Sequence, residues 1–92
     1  MTLKLTTLAL MALVVLPSTP ARASLAADAR ACQGYERQLD LAIAQRATSP
    51  RIESAKARRE RGTQACAEGR HQAGIGEFRQ ALRELGVKPT AP

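Results

Sequence analysis

Ninety-two residues with 14 Lys and Arg against 8 Asp and Glu make a small basic chain of formal charge +6. That length allows one domain at most. One Tyr, one Phe and no Trp leave almost nothing on which bases could stack, which argues against a nucleic-acid binder.

The N-terminal two dozen residues read as an export signal. Lys4 supplies a short positive region, and Leu5 to Leu16 form a nearly unbroken apolar run. Pro17 and Pro20 end the run, and Ala21-Arg22-Ala23 has the small-x-small pattern of a signal-peptidase site. The run is shorter than the roughly 20 residues a membrane span needs. We therefore expect a cleavable signal peptide over residues 1–23, a helical domain over 24–87 and a disordered tail over 88–92. Removing Met1–Ala23 takes away Lys4 and Arg22 and no acid, so the charge falls to +4, with 12 bases and 8 acids over 69 residues. The expected location is the bacterial periplasm or the secreted space.

From Leu25 to Ala47 the chain is rich in Ala, Leu, Gln, Arg and Glu, all good helix formers, with no proline. Cys32, Tyr35, Leu39, Ala42, Ile43 and Arg46 fall at the three-and-four spacing of one helix face. Thr48 and Ser49 are capping residues. Pro50 suits a first helical turn, where its missing N–H costs nothing. A second helix is predicted from Pro50 to about Glu68, with Ile52, Ala55, Arg59, Gly62, Thr63 and Cys66 facing inward. If Ser49 is the pivot of an antiparallel hairpin, facing residue numbers sum to about 98, and Cys32 and Cys66 meet that condition. In an exported protein the pair reads as one disulfide closing the end opposite the turn. The same register sets Asp40 opposite Arg58 and Glu36 near Gly62, and lets Ala31, Gly34, Gly62 and Ala65 bring the helices close at the cysteines.

Gly69 ends the second helix. The third is predicted from about His71 to Leu85, with Ile75, Phe78, Leu82 and Leu85 on one face and Ala81 beside them. Gly86 is a candidate C-cap and Pro89 prevents continuation. The predicted fold is all-α: a disulfide-clamped antiparallel helical hairpin plus a third helix, a small three-helix bundle.

The run Gly69-x-His71-x-x-Gly74-Ile75-x-x-Phe78-x-x-Ala81-Leu82 resembles the second half of a tetratricopeptide repeat. The resemblance covers roughly Gly62 to Leu85, a single repeat. Arg58, Arg61 and Ala65 stand where that family prefers Trp, Leu and Tyr. The resemblance implies a helix-pair packing mode and protein binding.

No catalytic residues are predicted. His71 is the only histidine, and neither Glu68 nor Glu77 stands at a recognised spacing from it. Cys32, Cys66 and His71 do not have metal-ligand spacing, so neither a metal nor a cofactor is expected. Gly74-Ile75-Gly76 lies inside a helix and is read as close packing, not as a phosphate loop. Lys56 to Arg61 is the densest basic run and is read as a solvated face, except for Arg59, which points towards the first helix in the proposed register. The expected function is a non-catalytic protein-binding or accessory module of the envelope, docking another periplasmic or envelope protein through Ile75, Phe78, Arg79 and Leu82. The alternatives are a holdase-type chaperone and a peripheral binder of anionic membrane surfaces.

Overall fold

A computed structural model describes residues 20–92, which form three helices in chain order: α1 Pro20–Gln45, α2 Ile52–Ala67 and α3 His71–Glu84. No strand occurs among the described residues. The predicted signal peptide lies outside the described residues except for Pro20–Ala23, which lie in α1. None of the described helices is long and apolar enough to cross a membrane.

The helix ends follow from local chemistry. Ser49 accepts a hydrogen bond on its Oγ from the Arg51 amide at 3.2 Å. The Ile52 amide bonds the Ser49 carbonyl at 3.1 Å, so a tight turn through Pro50 leads into α2 two residues later than predicted. Gly69 closes α2 at φ 81°. Its amide bonds the Cys66 carbonyl, and the Arg70 amide reaches the Ala65 carbonyl at 2.8 Å. Gly86 closes α3 at φ 74° in the same way, with the Val87 amide on the Leu82 carbonyl at 2.9 Å. Both ends are Schellman motifs, in which a left-handed residue lets two amides satisfy otherwise orphaned carbonyls. Only three residues separate α2 from α3, so those two helices are held as neighbours by the chain itself.

The core gathers one stripe from each helix. Cys32, Tyr35, Leu39 and Ala42 of α1 meet Ile75, Phe78, Ala81, Leu82 and Leu85 on the α3 side, with Ala55 from α2. Phe78, Leu39 and Leu82 are the largest fully buried side chains. Full burial of each stabilises the fold by about 1.5–3 kcal/mol. Of the face predicted for α1, Cys32, Tyr35, Leu39 and Ala42 are buried, Ile43 packs at the margin, and Arg46 lies exposed beyond the helix end.

The closest helix pair is α2 with α3, and α1 packs more extensively on α3 than on α2. The reason is steric. Gly62 presents a bare backbone to the Phe78 ring, where a Cβ would stand 2.6 Å from the ring. Gly74 faces the Gly62 carbonyl and the Cys66 sulfur, where a Cβ would lie 2.7 Å from the carbonyl oxygen. Two glycines therefore let α2 and α3 approach nearly backbone to backbone. The α1–α2 hairpin is held chiefly by the disulfide and by charges.

Candidate functional site

Cys32 and Cys66, 34 positions apart in sequence, form a disulfide with Cα atoms 6.3 Å apart. Cys32 is buried, and its sulfur lies 3.5 Å from the His71 carbonyl oxygen. Of the four small residues expected to bring the cysteines together, Gly62 instead meets Phe78, and Gly34 receives Pro92. The residue against the Cys66 sulfur is Gly74 of α3, which an argument from the α1–α2 hairpin alone does not reach.

Beyond the disulfide, the α1–α2 seam is polar. Arg59 bonds both carboxylate oxygens of Asp40, and its Nη2 donates to Glu36 at 3.2 Å. The Thr63 hydroxyl donates to the same Glu36 oxygen at 3.2 Å. The bond to Asp40, with Glu36 adding to it, raises the Arg59 pKa above its already high value. The register expectation is corrected by one residue: Asp40 faces Arg59, not Arg58.

Arg58 turns to the other side of α2 and joins it to α3. Its Nε donates to Glu84 at 2.9 Å, and its Nη1 lies 3.4 Å from Glu77. Ser54 donates to the second Glu84 oxygen at 2.9 Å. The Glu84 side chain is only 8% exposed. Burial alone would push its carboxyl up, but the hydrogen bonds from Arg58 and Ser54 outweigh burial and hold it below the usual carboxylate value. Glu84 is thus held as a carboxylate against Arg58, tying α2 to α3. His71 is half-buried where α3 begins, in a shallow cleft shared with Thr63, Glu36 and the disulfide. Among the described residues no three His, Cys, Asp or Glu side chains converge as metal ligands would.

The predicted docking residues are not a surface. Ile75 is 7% exposed, while Phe78 and Leu82 are fully buried, because the α3 stripe they form is the wall that α1 and α2 pack against. Only Arg79 of the four is exposed. The hydrophobic spacing that singled them out marks a core face as readily as a binding face, and here the core claims it.

A different surface emerges on α1. The segment Lys88–Pro92, expected as a frayed tail, runs back along this helix. Gln38 grips Thr90 with both ends of its side-chain amide: Nε2 donates to the Thr90 carbonyl, and Oε1 accepts from the Thr90 amide at 3.0 Å. Pro92 rests on Gly34, whose missing side chain leaves room for the ring. Ala27, Arg30, Ala31 and Tyr35 continue the groove beside Ala91 and Pro92. The sequence reading passed over this groove. The available signal was a glycine at mid-helix together with two prolines three residues apart in the tail.

The geometry defines a class: a small all-α bundle of three helices, clamped by one disulfide, with a polar seam and a groove on α1. Compared with protein-family models, with curated proteins and with solved structures, the chain matches none of them.

Proposed function

We propose that this chain is a small exported module that works by binding another envelope protein, without catalysis, and that α1 carries the binding surface. The observation that supports the reading is the α1 groove, which holds the Lys88–Pro92 segment by the Thr90 backbone. A surface that grips main-chain amide and carbonyl groups is suited to peptide recognition. The same helix exposes Leu41 at 62% and Leu25 at 55%, the exposed large apolar side chains among the described residues. A photo-crosslinking amino acid at Leu41 or Arg37 is expected to capture a specific protein from an envelope extract. The same probe at Ala57, on the outer face of α2, is expected to capture none. Equal background from all three positions would overturn the proposal.

A second reading has its own support. The ion pairs among the described residues consume acids at the helix seams: Glu36 and Asp40 on Arg59, Glu77 and Glu84 on Arg58. Arg30, Arg37, Arg79 and Arg83 are exposed and take no part in these pairs. The outer faces of α1 and α3 are therefore more basic than the net charge suggests, which favours an anionic membrane surface. Co-sedimentation with anionic vesicles should fall steeply between low and physiological salt, and replacing the four arginines by glutamine should abolish it. Sedimentation indifferent to salt and lipid charge would count against this reading.

A further inference from the structure

We infer that the α1 groove over Gly34, Tyr35 and Gln38 is a docking site for a Pro-x-x-Pro segment of another protein, and that Lys88–Pro92 is its tethered occupant. The inference rests on the protein-binding reading above and names the chemistry of the partner.

Three observations carry it. The tail sequence, Lys88-Pro89-Thr90-Ala91-Pro92, holds prolines three apart. In a polyproline helix, with three residues per turn, such prolines fall on one edge. That helix has no internal hydrogen bonds, so the amide and carbonyl of the residues between are free to be read. Thr90 has both of these groups on Gln38, whose amide offers one donor face and one acceptor face in a matching pair.

Gly34 is the second observation. A glycine inside a helix costs about 1 kcal/mol against alanine. The three nearest atoms to a Cβ built there all belong to Pro92. Among the described residues Gly34 thus makes its closest approach to the tail, in contrast to Gly62 and Gly74, and gives a proline ring a seat. Third, Tyr35, 9% exposed with the tail in place, lines the same groove beside Ala91 and Pro92, and an aromatic wall is what proline-rich segments pack against. The occupant is held lightly: Thr90, Ala91 and Pro92 all remain exposed. A tether raises the local concentration of the tail without adding contacts, so a free segment must compete with it. The tail would then hold the groove closed until a better segment arrives.

The probe is a fluorescein-labelled peptide of sequence Val-Lys-Pro-Thr-Ala-Pro, titrated against the full chain by anisotropy, with a proline-free scramble as control. Pro89→Gly with Pro92→Gly loosens the tail and leaves the groove intact, and this variant is expected to bind the peptide about tenfold more tightly than the unsubstituted chain. Adding Gly34→Val or Gln38→Ala to it should abolish binding while circular dichroism stays unchanged. Peptide-induced shifts should centre on the Gly34, Tyr35 and Gln38 amides. Equal affinity in the presence and absence of the tail prolines would overturn the inference, as would binding indifferent to Gly34→Val and Gln38→Ala. So would no binding by the folded loosened variant. If the peptide fails while crosslinking at Leu41 still captures a protein, this inference falls and the protein-binding reading stands. If both fail, both fall.

Discussion

Gly74 and Gly76 are two residues apart in α3 and have opposite consequences. A Cβ on Gly74 would run into the Cys66 sulfur and the Gly62 carbonyl, whereas one on Gly76 would meet nothing within 4 Å. Gly74→Ala must push α2 and α3 apart and should cost roughly 1–3 kcal/mol, as overpacking does. Gly76→Ala should stabilise by about 0.5–1 kcal/mol, since the exposed helical site gains propensity at no steric cost. Urea denaturation of the two variants checks both signs. Glu84 yields a pH prediction. Its carboxyl is held low in the folded state by Arg58 and Ser54, so its contribution is present above the ordinary carboxylate range and is lost as pH falls through the depressed folded value. The gap in urea midpoint between the unsubstituted chain and Glu84→Gln should be open at pH 7 and should close on acidification toward pH 3. A gap constant with pH would show that the carboxylate charge contributes nothing. The pairing of Arg58 with Glu77 and Glu84 is absent from the sequence reading for a simple reason. Neighbouring residues on a helix point about 100° apart, so Arg58 and Arg59 necessarily serve different partners.

At the scale of elements, the three helices are not equally secured. α2 and α3 are joined by a short glycine-capped link and packed backbone to backbone. α1 depends on its stripe against α3, on the Arg59 pairs and on the disulfide. Closing a loop whose ends are 34 positions apart stabilises by about 3–4 kcal/mol in the chain-entropy model. Cys32→Ala with Cys66→Ala should lose about that much. Hydrogen exchange on the variant should show α1 amides opening before those of α2 and α3. Simultaneous loss of protection in all three helices would mean that the bundle opens as one unit and that α1 is not its weakest member. The helices themselves were legible from periodicity and turn chemistry. Gly69 and Gly86 end α2 and α3 as expected, both with left-handed dihedrals, and α3 starts at the predicted residue. α2 begins two residues past Pro50, because the Ser49 side chain stabilises an extra turn there. The described part of α1 already includes residues on the N-terminal side of Leu25, where the helix-forming composition begins.

For the whole molecule, the expectations concern topology and processing. Intact mass of the exported protein is expected to place its first residue at Ser24, and to rise by two hydrogens on reduction of Cys32–Cys66. A mass retaining Met1–Ala23 would remove the export reading while leaving the bundle untouched. The candidate site was the part least legible in the sequence. Ile75, Phe78 and Leu82 form the most regular apolar stripe in the chain, and regularity of that kind signals burial against something without saying against what. In this fold the partner is the chain's own α1 and α2. The groove that does remain, by contrast, is assembled from Gly34, Gln38 and a tail more than fifty residues away along the chain, with Gln38 and Thr90 52 positions apart.

The sequence by itself determined three helices, their breaks and the pairing of Cys32 with Cys66, because each of these follows from local chemistry or from counting residues either side of a turn. Only the tertiary structure decided that α3 lies closest to α2, that Arg59 takes Asp40 while Arg58 takes Glu84, and that Gly34 admits a proline ring. These outcomes depend on how each helix is rotated about its own axis. A register slip of one residue turns every side chain by about 100°, and the hydrophobic pattern is too coarse to resolve that angle.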